Sequence, residues 1–161
     1  MKHIWAPWRI EYIKIAKQDG CFLCRYFENQ NDQENLLLAR GKLCAVVMNR
    51  FPYTGGHLMV CPYRHISDLS DLSDAEHLEL MHWTTRSVEI LKKHMKPEGF
   101  NIGINIGEAG GAGLKDHLHM HVVPRWLGDT NFTAVLNDVR VVPQALEALW
   151  LELKPSFDQE G

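Results

Sequence analysis

The chain has 161 residues, of which 45% are hydrophobic and 23% are charged, and its formal net charge is −3. These values predict a single globular domain over residues 1–161 and exclude a disordered or fibrous chain. Because the Lys and Arg residues are dispersed, we expect no nucleic-acid partner. No apolar run is long enough to cross a bilayer, and the first residues lack the apolar segment of a secretory signal. We therefore expect a cytoplasmic protein without a membrane partner.

The four cysteines fall into two kinds. Cys44 and Cys61 stand singly in apolar runs, as is typical of small buried side chains. Cys21 and Cys24 form a CxxC pair in the N-terminal segment, residues 1–30. In a reducing compartment, such a pair indicates zinc binding or redox chemistry more often than a structural disulfide.

The first half of the chain predicts a short helix over residues 9–17 and then three strands. The strand-like runs cover residues 35–40, 42–49 and 57–62, and Gly41 is predicted to supply a positive φ in the turn between the first two. A helix follows, because Ser73 and Glu76 have the spacing of a capping box. Its predicted apolar stripe recurs at helical spacing and ends before Pro97: Leu78, Met81, Thr85, Val88, Leu91 and Met95.

The second half predicts strands over residues 100–106 and 117–124, with a glycine-rich segment between them. A last amphipathic helix is predicted to begin at Pro143. Five strands joined by short or loop-like connections, with one long helix and a C-terminal helix, predict an α+β fold on a mainly antiparallel five-stranded sheet.

The segment HLHMH places His117, His119 and His121 at alternate positions of the predicted strand. Side chains of a strand alternate between its faces, so the three imidazoles are expected on one side. Exposed strands usually carry Thr, Lys, Glu or Ser, which makes a merely solvated face a poor explanation. Two interpretations remain: all three histidines bind one metal ion, or the strand lines a phosphate site in which one histidine attacks phosphorus.

The residues just before the histidines favour phosphate. Gly107, Gly110, Gly111 and Gly113 can turn backbone N–H groups toward an anion, although any hairpin can use such a run. No Gly-Lys-Ser/Thr follows, so the segment is not a Walker loop. Its position directly before three histidines indicates an anion site.

These motifs resemble the histidine triad (HIT) family. HLHMHVV is similar to the family signature of three alternating histidines, and NRFPYTGGHLMVCPYRH resembles the upstream Asn-x-x-Pro and Gly-His segments. NIGEAGGAG is similar to the glycine-rich approach to the triad. The opening WAPWRIEYI with CFLC, and the closing VPRWLGDTNF, resemble a bacterial branch of dinucleoside polyphosphate hydrolases and phosphorylases.

The resemblance implies a HIT-like fold and nucleotidyl transfer through a covalent intermediate. His119 would attack the α-phosphorus of a dinucleoside polyphosphate, such as diadenosine tri- or tetraphosphate, while the carbonyl of His117 holds its other ring nitrogen. His121 and His57 would contact phosphate oxygens or the leaving group. Water or inorganic phosphate would then release the nucleotide, so hydrolase and phosphorylase both remain open. A nucleoside phosphoramidase and a non-catalytic nucleotide-binding module are further alternatives.

For the nucleotide, the resemblance implies ribose binding by Asn49 and phosphate contacts by Asn105, Gly113 and His121. Gly113 stands where many relatives carry Gln or a hydroxyl residue, and the loop from Asn105 to His117 is one residue longer than in many hydrolases. Both departures affect the contacts to the leaving group and the acceptor.

The resemblance also implies a structural zinc ion held by Cys21, Cys24, His65 and His117. In that arrangement the first triad histidine turns to the metal, whereas His119 faces the substrate. The alternative is an empty or redox-active cysteine pair. No catalytic metal in the protein is expected, although the substrate can carry Mg²⁺. The family further implies a homodimer.

Overall fold

The computed structural model describes residues 20–129 and 144–159. The helix predicted over residues 9–17 and the predicted helix start at Pro143 lie outside these residues. Within them, the helices and strands, in chain order, are α1 (Phe22–Glu28), β1 (Leu37–Arg40), β2 (Cys44–Met48), β3 (Leu58–Pro62), a short 3-10 turn (Leu69–Asp71), α2 (Asp74–Met95), β4 (Gly99–Ile104), β5 (Met120–Arg125) and α3 (Leu146–Asp158).

The five strands form one antiparallel sheet in the order β1-β2-β3-β5-β4. The predicted α+β architecture, with one long helix and a C-terminal helix, is therefore confirmed. The helix α1, which carries Cys24, was not predicted. None of the described helices is long and apolar enough to span a bilayer.

The sheet separates two apolar clusters. Along β2, Cys44, Val46 and Met48 belong to the large cluster under α2 and α3, whereas Ala45 and Val47 belong to a smaller cluster beside α1. This alternation follows from the two-residue period of a strand. In β5, Val122 joins the helix side, so its neighbour His121 lies on the side of α1.

The capping box at the start of α2 is confirmed. Glu76 N–H donates to Ser73 Oγ at 3.3 Å, and Ser73 N–H donates to the Glu76 carboxylate at 2.8 Å. Arg64 also donates two hydrogen bonds to this carboxylate, at 2.7 and 2.6 Å. The N-terminus of the long helix is thereby joined to the segment that follows β3.

The predicted apolar stripe of α2 is wrong in its first half. Leu78 is 74% exposed and Met81 is 51% exposed, whereas other side chains face the sheet: Glu76, Leu80, Trp83, Thr84, Ser87, Ile90 and Leu91. The buried hydroxyls are satisfied within the helix, because Thr84 donates to the Leu80 carbonyl and Ser87 donates to the Trp83 carbonyl, both at 2.7 Å. Polar residues with local partners therefore occupy positions that an apolar pattern does not reveal.

Two backbone predictions also need correction. Gly41 does not have a positive φ, whereas Leu36 does, at 56°. Gly41 is required for space instead, because a Cβ there would collide with Glu79 Oε1 and Trp83 Nε1. The last strand begins at Met120 and not at 117, so the first two triad histidines lie in the segment that enters β5.

Candidate active site and metal centre

A pair of buried histidines occupies the α1 side of the sheet. His121 lies in β5, beside Met59 of β3 and Gly103 of β4. His57 directly precedes β3, and its Nε2 lies 2.9 Å from Nδ1 of His121. Their exposed fractions are 1% for His57 and 8% for His121. Two strands that are far apart in sequence therefore bring these imidazoles into direct contact.

The loop that enters β3 determines which nitrogen of His57 carries the proton. The backbone N–H of Tyr53 donates to His57 Nδ1 at 3.1 Å. Asn49 Nδ2 lies 3.3 Å from the same nitrogen, and Asn49 Oδ1 accepts from Phe51 N–H at 2.9 Å, which orients the amide. Because His57 Nδ1 accepts hydrogen bonds, the proton of the neutral ring is on Nε2 and points at His121.

Gly56 allows the loop to make this turn. Its φ is +79°, a conformation that glycine adopts without the steric cost of a side chain. A Cβ at this position would also lie 2.5 Å from Met95 Sδ at the end of α2. Gly56 therefore lets the loop pack against α2 while presenting His57 to β5.

His119 has one ring nitrogen held by the backbone and the other left with a lone pair. Its Nδ1 lies 2.7 Å from the carbonyl oxygen of His117, so Nδ1 donates and Nε2 keeps its lone pair. The side chain is 6% exposed, and this burial lowers the pKa of His119. A ring that stays neutral keeps its lone pair near neutral pH. The predicted role of the His117 carbonyl thus has a matching contact.

Four side chains converge at the other end of the triad segment. Cys21 Sγ lies 3.2 Å from His117 Nδ1, Cys24 Sγ lies 3.4 Å from His65 Nδ1, and the two Nδ1 atoms are 3.3 Å apart. The four potential ligand atoms lie within 4.8 Å of one another. His117 Nε2 donates to the Pro62 carbonyl at 2.9 Å, which leaves Nδ1 as the metal-binding nitrogen.

The fold explains why these four residues meet. Cys21 is the N-cap residue of α1 and Cys24 lies in its first turn, so the CxxC spacing places both thiols at one helix end. His65 follows β3 and His117 precedes β5, which are neighbouring strands. Burial and the adjacent Cys21 raise the pKa of Cys24 to about 11, so the Cys24 thiol ionises readily only beside a cation. Two sulfurs and two imidazole nitrogens at these separations fit a tetrahedral zinc ion.

The residues predicted to bind the nucleotide differ in how closely they approach the imidazoles. Asn49 contacts His57, and Asn105 Nδ2 lies 3.4 Å from His121 Nε2. Gly113 is exposed, and no atom of the described structure lies within 4 Å of a Cβ built on it. Gly113 therefore borders open space four residues before His117.

Tyr53 was not identified from the sequence as a site residue. In addition to its backbone contact, its ring centroid lies 4.6 Å from that of His57 and 5.7 Å from that of His121. An aromatic residue four positions before a predicted active-site histidine is the only signal that the sequence offers. Arg125, at the end of β5, forms an ion pair with Asp129 and donates to Asn101 Oδ1 at 2.6 Å.

The HIT domain profile matches residues 30–126, which is more than half of the chain. The chain therefore belongs to the HIT family, and the predicted resemblance is confirmed. An AP-4-A phosphorylase of Mycobacterium tuberculosis is 42% identical over 154 residues, which cover 91% of this chain and 79% of that protein. A bis(5'-adenosyl)-triphosphatase of Dictyostelium discoideum is 27% identical over 73% of this chain and 83% of its own length.

Among solved structures, a Zn-bound histidine triad family protein from Mycobacterium smegmatis is similar to this chain. It superposes with a TM-score of 0.69 at 26% identity, covering 87% of this chain and 94% of its own. The predicted HIT-like fold is confirmed by this similarity and by the five-stranded antiparallel sheet.

Proposed function

We propose that this chain cleaves dinucleoside polyphosphates at the α-phosphorus through a covalent nucleotidyl-His119 intermediate. The observation that carries the proposal is the 2.7 Å contact between His119 Nδ1 and the His117 carbonyl, which leaves Nε2 with a lone pair in a buried site. The similar phosphorylase and triphosphatase support the substrate class. The phosphorylase is named for diadenosine tetraphosphate and the triphosphatase for diadenosine triphosphate, and we propose both as substrates of this chain.

The reaction has two displacements. In the first, His119 Nε2 forms a bond to the α-phosphorus, and the bond to the bridging oxygen breaks with its electron pair on the departing nucleotide. In the second, an acceptor oxygen attacks the same phosphorus and the electron pair of the P–N bond returns to Nε2. We assign phosphate contacts to His121, His57, Asn105 and the N–H of Gly113. Asn49 would bind ribose.

Inorganic phosphate is the acceptor that we favour in the second step. The 42% identity to an AP-4-A phosphorylase supports it, and so does the open space beside Gly113. A larger side chain at position 113 would occupy room that an incoming phosphate needs. Phosphate also brings an oxygen that is already anionic, whereas water must lose a proton as it attacks.

The products of diadenosine tetraphosphate distinguish the two acceptors. We expect ATP and ADP in the presence of inorganic phosphate and little turnover without it. ATP and AMP formed equally well without phosphate would replace the phosphorylase with a hydrolase. If no product formed under either condition while the nucleotide still bound, the chain would be a nucleotide-binding module and the enzymatic proposal would fail.

We also propose that Cys21, Cys24, His65 and His117 hold a structural zinc ion. The zinc-bound structure from M. smegmatis and the convergence of four suitable ligand atoms support this. With four protein ligands such an ion acts through position and has no open site for substrate. Metal analysis of the purified chain should find one zinc per chain, and fewer than about 0.2 after removal of either cysteine.

A homodimer is proposed from the β4 edge of the sheet, which has no neighbouring strand within residues 20–129 and 144–159. β4 is an end strand in the sheet order, and Ile102 within it is 47% exposed. Ile106, just beyond β4, is 42% exposed. A second copy that pairs along β4 would cover these side chains. Light scattering should give twice the mass of the chain, and Ile102→Lys should shift the species toward the monomer.

The single domain over residues 1–161 and the cytoplasmic location stay predictions.

A further inference from the structure

The hydrogen bonds of the buried histidine pair run in one direction. His57 Nδ1 accepts from Tyr53 N–H at 3.1 Å and faces Asn49 Nδ2 at 3.3 Å, so its proton is on Nε2. That proton is donated to His121 Nδ1, 2.9 Å away. Nδ1 of His121 is therefore an acceptor, and the proton of His121 is on Nε2. A backbone N–H can act only as a donor near neutral pH. The Tyr53 N–H therefore fixes which nitrogens of the two imidazoles donate and which accept.

This order makes a doubly protonated His121 unfavourable. A proton on His121 Nδ1 would face the Nε2–H of His57, so two donors would be in contact. His57 could become an acceptor at Nε2 only if its own proton moved to Nδ1, where it would face the Tyr53 N–H. Among the described residues, the groups that contact the His121 ring are the imidazoles of His57 and His119, the ring of Tyr53 and the amide of Asn105. None of these four carries a negative charge near neutral pH. Because an amide NH2 and the Nε2–H of His121 are both donors, the Asn105 amide must turn its oxygen toward Nε2. Burial and the nearby His119 also lower the pKa of His121 to about 4.

We infer that His121 serves as a neutral hydrogen-bond donor through Nε2 and does not protonate the leaving group. This rests on the proposed function, and it narrows the substrate class. A phosphoanhydride expels a phosphate oxygen that is stable as an anion, so the P–O bond can break without proton transfer. A nucleoside phosphoramidate expels nitrogen, and its P–N bond breaks readily only if that nitrogen receives a proton. The site therefore favours anhydrides over phosphoramidates.

The loop before the triad supplies no substitute acid. Leu114 packs against the smaller cluster beside α1, and Gly113 has no side chain. Glu108, Lys115 and Asp116 are exposed. No Ser, Thr or Tyr stands between Gly107 and His117. A hydroxyl in this segment would be needed to pass a proton to an amine leaving group without involving His121.

The first test compares leaving groups at one common adenylyl group. The substrates are diadenosine tetraphosphate, the 4-nitrophenyl ester of AMP and adenosine 5'-phosphoramidate, with kcat/KM measured at pH 7 in the presence of phosphate. Because positioned acids contribute roughly 10²–10⁴-fold, we expect the phosphoramidate to react about 10³-fold more slowly than the tetraphosphate. Phosphoramidate cleavage within about tenfold of the tetraphosphate would overturn the inference.

The second test does not depend on turnover. ¹⁵N-histidine NMR of the full-length chain, with the resonances assigned through His57→Gln and His121→Gln, reports which ring nitrogens carry protons. We expect both rings to be neutral at pH 7 with the proton on Nε2. A doubly protonated His121, or a His57 with its proton on Nδ1, would overturn the inference whatever the enzyme cleaves. If the expected spectrum is found but no substrate is cleaved, the proposed function fails while the neutral-donor assignment stands on the spectrum.

Discussion

The two ends of the triad segment use the same residue type for different purposes. At one end, His117 turns toward two cysteines, and its Nε2 donates to the Pro62 carbonyl. At the other end, His121 turns toward a second imidazole, that of His57. Between them, His119 uses the His117 backbone as its partner. One residue, His117, thus belongs to the candidate metal centre by its side chain and to the candidate active site by its carbonyl.

The comparison shows that the role of an imidazole depends on what holds its other nitrogen. A carbonyl partner leaves His117 Nδ1 and His119 Nε2 as lone pairs, one aimed at thiols and the other into the site. His121 accepts a hydrogen bond from the neighbouring ring of His57 at Nδ1, which leaves its Nε2 as a donor. Substitutions at the two ends should therefore be separable in their effects on zinc, turnover and stability.

The largest separation is expected at His119. His119→Ala removes the nucleophile, so kcat should fall by about 10³-fold or more, while one zinc per chain is retained. His82→Ala, which changes an exposed histidine on α2, serves as the control and should keep full activity. Loss of zinc from His119→Ala would mean that the two ends are not separate sites.

Substitutions at the candidate metal centre should lower the zinc content and the stability of the chain. Cys24→Ala removes one ligand, so the chain should lose zinc and its Tm should fall by about 10 °C, the shift for roughly 4 kcal/mol in a chain of this size. Cys61→Ala is the matched control, since Cys61 is fully buried but lies outside the ligand cluster. Equal zinc content in the two variants, measured by plasma emission spectrometry, would contradict the ligand assignment.

A smaller effect is expected from the ring of Tyr53, which acts as a positioning residue. Tyr53→Ala keeps the backbone N–H but removes the ring that packs on His57 and His121, so kcat should fall roughly tenfold with little change in KM. Tyr53→Phe keeps the ring and should recover the activity. If kcat of Tyr53→Phe were as low as that of Tyr53→Ala, the phenol oxygen and not the ring would be responsible for the effect.

The smallest effect is expected on stability, from Glu76 at the start of α2, which lies away from both ends of the triad segment. Arg64, mainly, lowers the pKa of Glu76 to about 2, from an ordinary 4.5. The carboxylate therefore contributes stability above pH 4.5 that is lost as the pH falls toward 2. Glu76→Gln should lower the free energy of unfolding by about 1–3 kcal/mol at pH 7, with screening at the exposed Arg64 reducing the value.

Urea unfolding at pH 7 and pH 3 checks this prediction. The difference between wild type and Glu76→Gln should shrink at pH 3, because the Glu76 carboxyl is then mostly protonated in the unfolded chain and still mostly ionised in the folded chain, which favours unfolding of the wild type. Glu89→Gln, which breaks an exposed ion pair with Arg86 one turn away, is the control and should cost only about 0.3 kcal/mol. A pH-independent difference at Glu76 would assign its effect to packing rather than to charge.

Much of the fold was predictable because local signals agreed with the tertiary structure. The capping box, the apolar strands β2 and β3, and the C-terminal helix follow from local sequence signals. The stripe of α2 was misplaced because Thr84 and Ser87 are buried by using carbonyls of their own helix. The purpose of Gly41 was missed because the side chains that crowd it come from α2, far along the sequence.

For the candidate site, the residues were predictable but their hydrogen-bond order was not. CxxC and the alternating histidines are visible as motifs, and the HIT resemblance assigned them ligands and roles. The contact of Tyr53 N–H with His57 depends on the path of the loop over residues 49–57, which no motif specifies. His117 Nδ1 likewise faces the cysteines as the nitrogen without a proton only because Nε2 donates to the carbonyl of Pro62, the last residue of the neighbouring strand β3.

The most direct test of the division of roles is to trap the intermediate. The enzyme is mixed with diadenosine tetraphosphate in the absence of phosphate and quenched in alkali, in which a P–N bond survives. The digested peptides are then analysed by mass spectrometry. We expect an adenylyl group on the peptide that contains the triad, with fragment ions that place it on His119, and none in His119→Ala. Adenylation at His121 or His57 in this experiment, with His119 unmodified, would contradict the roles assigned to the three histidines.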